Sequence, residues 1–124
     1  MYYHNSLHMP PINRNAVFIA GRPPLFEWVN QIMPELKIDP VTDPLEHDNG
    51  TIYLTPEFFD TEEAMAWLER NYLYIFEMEL WEWSEEEQRW PKNRSWDLFK
   101  QWFYISFISM IENTLDEPIV EKWE

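Results

Sequence analysis

The chain has 124 residues, 45% of them apolar and 18% aromatic, with a formal net charge of −14. That aromatic content excludes disorder over most of the length, and the length suits one domain around one core. There is no cysteine and there are only two glycines, which excludes disulfides, thiolate chemistry, thiolate metal sites and glycine-rich phosphate loops, while the negative charge repels nucleic-acid backbones and anionic lipid surfaces.

Residues 1–15 hold His4, His8, Asn5, Asn13, Asn15 and Pro10-Pro11, and read as an irregular lead-in. The first residues lack the basic region and following apolar run of a signal peptide, and no stretch reaches the length of a membrane span. Ala16-Val17-Phe18-Ile19-Ala20, closed by Gly21, is a short run of strand formers and is expected to be a buried strand. Pro23-Pro24 then opens a helix, with Leu25, Trp28, Val29 and Ile32 at helical spacing and Pro34 ending it. An acidic connection follows, with Asp39, Asp43, Glu46, His47 and Asp48, and Asp48-Asn49-Gly50 is a turn signal.

Thr51 to Thr55 reads as a second strand stopped by Pro56, so that strand, helix and strand suggest a right-handed parallel crossover. Two strands make a poor sheet, and a third is expected from Ile119-Val120 or from another chain. Asp60 begins the strongest helix. Asp60 and Glu63 have capping-box spacing, and Ala64, Trp67, Leu68, Tyr72, Ile75 and Phe76 form one apolar face. Beyond Phe76 the period would return Glu79 and Glu82 to the apolar positions, so the helix bends or ends there, or those carboxylates face a crevice. After Glu85-Glu86-Glu87 and the break at Trp90-Pro91, Asn93 or Ser95 caps a last helix from Trp96 to about Leu115, apolar nearly all round from Trp102 onward and therefore expected to be central. The expected architecture is α+β: a two-stranded sheet, three-stranded if a terminus contributes, packed with three main helices. Residues 16–117 form the domain and 118–124 a short acidic tail.

Several phrases occur together: Phe26-Glu27-Trp28, Leu54-Thr55-Pro56-Glu57-Phe58, Trp67-Leu68-Glu69-Arg70-Asn71-Tyr72, Ile75-Phe76-Glu77-Met78-Glu79-Leu80, Trp90-Pro91-Lys92-Asn93-Arg94 and Phe99-Lys100-Gln101-Trp102-Phe103. Through them the chain resembles, over roughly residues 16–112, a family of small acidic bacterial proteins of unknown function. The resemblance implies a bacterial origin and a compact stand-alone domain. It carries over no catalytic residue.

Candidate chemistry is sparse. Glu77, Glu79 and Glu82 lie near Trp81 and Trp83, and a carboxylate held against indole rings has a raised pKa suited to acid–base work. No metal or electrophilic partner accompanies them, and a solvated acidic helix end is the simpler reading. His4 and His8 are spaced four apart, but in a segment without helical periodicity. With His47 they read as surface histidines, and the acidic connection lacks the ligand spacing of a calcium loop. Ser106 and Ser109 sit in the apolar run, and no serine has a nucleophile elbow. The distinctive stretch is Arg89 to Arg94, which holds three of the nine basic residues and is flanked by tryptophans. Trp and Arg dominate binding hot spots, although aromatic residues of small domains mostly fill the core. The candidate patch is therefore Glu79, Glu82, Trp83, Arg89, Trp90, Lys92 and Arg94. No cofactor or metal is expected.

The function expected is that of a non-enzymatic protein-interaction domain, adaptor-like or inhibitor- and immunity-like, docking on a basic protein. The alternative is a small enzyme or ligand-binding protein with a crevice lined by Trp and Glu. The lack of cysteine points to the cytoplasm. Neither nucleic acid nor membrane is an expected partner, and an exposed strand edge suits a homodimer.

Overall fold

A computed structural model describes residues 11–39 and 50–122. Most of the irregular lead-in, with His4 and His8, lies outside the described residues, as does the acidic connection from residue 40 to residue 49 with Asp43, Glu46, His47 and Asp48. The fold is α+β, with three helices and a three-stranded antiparallel sheet. In chain order the elements are β1 (Asn15–Gly21), α1 (Pro23–Ile32), β2 (Gly50–Thr55), α2 (Thr61–Trp81), a short 3-10 turn (Glu87–Arg89), α3 (Trp96–Trp102) and β3 (Phe103–Ile108). Among the described residues no helix is long and apolar enough to cross a membrane.

The sheet order is β2-β1-β3, so the first strand is central and buried along its length. β1 pairs with β2 in antiparallel register, Val17 opposite Tyr53 and Ala20 opposite Gly50. This corrects the parallel crossover. β2 begins beside Ala20, the exit end of β1, where a parallel strand would begin beside Asn15. Gly50 has a steric reason: a Cβ there would fall within 2.4 Å of two carbons of the Phe18 ring.

The last helix is also corrected. Only Trp96–Trp102 is helical, with the Ser95 hydroxyl accepting from Leu98 N at 3.1 Å, and the chain passes directly into β3 at Phe103. Phe103-Tyr104-Ile105-Ser106-Phe107-Ile108 is apolar enough for a buried helix, yet it is built of aromatic and β-branched residues that suit a pleated surface. As a strand it alternates. Phe103, Ile105 and Phe107 lie opposite Gly21, Ile19 and Val17 on the face toward the core, and Tyr104, Ser106 and Ile108 lie on the other. The third strand is thus supplied by 103–108. Ile119 and Val120 are exposed and outside any strand.

All three helices contribute to one core against the Val17 and Ile19 face of the sheet. Phe76 of α2 is its centre, with ring centroids 5.5 Å from Phe99, 5.9 Å from Trp102 and 5.5 Å from Phe103. These edge-to-face pairs add to the burial of large apolar area. Trp28 of α1 leans on Trp102 at 5.9 Å, and Phe58 lies between Trp67 and Phe107. At the start of α2, Asp60 accepts from Glu63 N at 2.8 Å while the Glu63 carboxylate reaches back to Phe59 N at 3.1 Å, a reciprocal cap. The return from α1 is held by Asn30, whose side chain both donates to Ile38 O (2.9 Å) and accepts from Ile38 N (2.8 Å). Between them Lys37 takes a left-handed turn at φ 47°.

Candidate functional site

α2 does not stop near Phe76. It continues to Trp81, and Glu79, the carboxylate of its last turns that leaves the solvated face, finds partners there. Glu79 points at the sheet and accepts a 2.5 Å hydrogen bond from the Tyr53 hydroxyl, with the Thr51 hydroxyl as a second donor. Burial pushes its carboxyl above the usual glutamate range. The two donors pull the other way, and the charge of neighbouring Glu82 adds to the rise. Burial likewise pushes the Tyr53 phenol far up, reinforced by the bond to Glu79 and by the negative charges of Glu79 and Glu82. Glu82 itself is exposed at the helix end.

The rest of the candidate patch divides between anchoring and exposure. Trp83 is half-buried, edge-on to Phe26 at 6.2 Å. Arg89 is engaged three ways. Its Nε lies 2.6 Å from Glu86, its Nη1 donates to Ile32 O at 3.2 Å, and its carbonyl accepts the Trp28 indole N–H at 3.0 Å. Trp90 is buried and donates to Ser84 O at 2.8 Å. Arg94 is half-buried, with its guanidinium 5.7 Å from the Trp90 ring centroid, Nη1 on Pro91 O at 2.8 Å and Nη2 3.5 Å from Glu77. The Tyr72 hydroxyl donates to the Arg94 carbonyl at 2.7 Å. Lys92 is exposed. The structure therefore brings Trp90 and Arg94 together with Glu77, while Glu79 is turned to the sheet.

Trp90 forms a wall of two grooves. One, of about 320 Å³, lies toward α1 and is bounded by Pro24, Glu27, Trp28 and Arg89. The other, of about 240 Å³, runs along the end of α2 and is lined by Tyr74, Glu77, Met78, Trp81 and Trp90. The second is the more apolar in its lining residues, and its helix side is a stripe at i, i+4 and i+7. In that stripe Tyr74 is 68% and Trp81 47% exposed, with Met78 between them. α2 thus has two apolar stripes, one buried in the core and one open. Sequence reasoning followed the first and omitted Tyr74 and Met78. The signal for the second was their spacing from Trp81, on the side of the helix away from Leu68, Ile75 and Phe76. Among the described residues no group of three or more His, Asp or Glu side chains is placed to hold a metal ion.

No family model, no curated protein and no solved structure matches the chain.

Proposed function

We propose that the protein is a non-enzymatic interaction domain, adaptor-like or inhibitor- and immunity-like, that docks on a basic partner protein through the open stripe of α2. The observation that carries this reading is the exposed Tyr74–Met78–Trp81 stripe bordering the Trp90 groove, on a chain with net charge −14. An aromatic anchor site on a strongly acidic body suits a cationic segment that presents apolar side chains. Long-range attraction speeds the encounter, and burial of the anchor sets the lifetime. Arg94 and Arg89 serve this reading indirectly, since they hold Trp90 and the 3-10 turn that form the groove wall. The absence of cysteine supports a cytoplasmic setting.

The test is affinity capture from lysate of the source cells with tagged wild type and with Met78→Ala/Trp81→Ala, each eluted in rising salt. The expected result is one basic protein retained in stoichiometric amount by wild type, released at moderate salt and largely lost from the variant. Binding of the purified pair is then measured directly. A partner indifferent to both salt and the substitutions, or no partner specific to wild type, overturns the reading.

A further inference from the structure

The helices cover one face of the sheet, and the other carries a second and different surface. Ala16, Phe18 and Ala20 of β1, Ile52 and Leu54 of β2, and Tyr104, Ser106 and Ile108 of β3 share it by the strand registers. Ala16 and Ala20 are themselves buried, so the accessible part of the face is Phe18, Ile52, Leu54, Tyr104, Ser106 and Ile108. Ile52 is 58% and Leu54 52% exposed, and Phe18 is half-buried, its ring lying over Gly50. Arg22, just beyond β1, places its guanidinium 5.3 Å from the Tyr104 ring centroid. No residue of the three strands is charged, although the chain has 23 carboxylates.

We infer that this face is the contact between two copies of the chain, stacked sheet on sheet about a two-fold axis. The charge distribution selects the occupant. A basic partner gains nothing from a face without carboxylates, and is drawn to the acidic surfaces elsewhere. Two copies, each with net charge −14, repel one another wherever carboxylates would meet. A two-fold contact sets a patch against itself, so carboxylates must not face one another across it, and the strands of this face hold none. Its extent suits a weak, reversible dimer. The three strands span about 14 by 20 Å, roughly 280 Å² in projection, which is below the area of a standard specific interface. Aligned stacking of the two sheets would interdigitate Ile52, Leu54 and Phe18 with their equivalents. This inference is independent of the α2 stripe and has the opposite salt dependence, because salt screens repulsion between copies and also screens attraction to a basic partner.

The experiment is analytical ultracentrifugation of the full chain over a concentration series at low and high salt. Wild type, Leu54→Glu, Ile52→Thr/Leu54→Thr and Trp81→Ala are compared, and circular dichroism verifies that each is folded. The expected result is a monomer–dimer equilibrium in wild type that strengthens with salt. Leu54→Glu is expected to weaken it at least about tenfold. The neutral threonine pair, which keeps strand propensity, weakens it as well, and Trp81→Ala leaves it unchanged. The inference is overturned by a wild type that stays monomeric throughout both series. It is equally overturned by a dimer that survives both sheet variants, as backbone pairing of strand edges would, or by a dimer lost on Trp81→Ala.

Discussion

The Tyr53 hydroxyl donates to the Glu79 carboxylate at 2.5 Å, and this one bond ties an edge strand to the last turns of the longest helix. Its pH dependence follows from the opposing influences on Glu79. Burial outweighs the donors, so the carboxyl holds its proton more tightly in the folded chain than in the unfolded one. The group therefore contributes stability below the ordinary glutamate pKa, about 4.3, and that contribution is lost as pH rises through the raised folded value. Glu79→Gln has no such group. Melting temperatures of the two proteins should shift against wild type as pH climbs from about 4 toward neutrality. A gap moving in wild type's favour would mean that the hydrogen bonds outweigh burial.

Phe76 is fully buried and touches three other rings. Phe76→Ala should cost about 3–5 kcal/mol in urea unfolding, and Phe76→Leu distinctly less, because the leucine fills part of the cavity. Domains of this size have total stabilities of roughly 5–15 kcal/mol, so the alanine variant should lose much of its reserve. A cost below about 1 kcal/mol would show that the ring cluster collapses around the gap.

Asn30 closes the loop after α1 with two hydrogen bonds to one residue. Asn30→Ala should destabilise by about 1–2 kcal/mol, and Asn30→Asp by less, since the carboxylate still accepts from Ile38 N. Lys37→Gly should stabilise modestly, by up to about 1 kcal/mol, by relieving the left-handed backbone at φ 47°. Chemical denaturation of the three variants checks the order. Equal stability of Asn30→Ala and wild type would remove the clamp.

The reciprocal cap at the start of α2 makes a local prediction. Asp60→Ala should cost about 1 kcal/mol and increase amide exchange in the first turn of α2, leaving the exchange of β1 unchanged. Unaltered exchange at Glu63 N would contradict the role of its bond to Asp60.

Elements with a local chemical cause were legible in the sequence. Pro23-Pro24 and Pro34 bracket α1, the Asp60–Glu63 pair starts α2, and the apolar runs with Gly21 and Pro56 mark β1 and β2. What failed depended on distant partners. Phe103–Ile108 fits either a buried helix or a buried strand by composition, and the vacant side of β1 decides between them. Strand direction depends on which end of β1 the second strand begins beside, and no short motif encodes that. For the candidate site, pairing of Arg89 and Arg94 with nearby glutamates is legible from the acidic residues around them, but their backbone acceptors, Ile32 O and Pro91 O, have no local signature. The odd placement of Glu79 was legible as an anomaly, and its explanation, Tyr53, stands 26 residues away.

The central position of β1 has a consequence for biosynthesis. The strand is made before either of its neighbours, and the second of them, β3, follows only after all three helices. While a ribosome is still adding residues before Phe103, the nascent chain holds an apolar strand with one side unpaired. Such edges are where growing chains adhere to one another. Non-local pairing of this kind also slows folding, since the closing segment must first find its place. Any stop or proteolytic cut ahead of Ile108 should therefore yield insoluble fragments rather than a smaller folded unit.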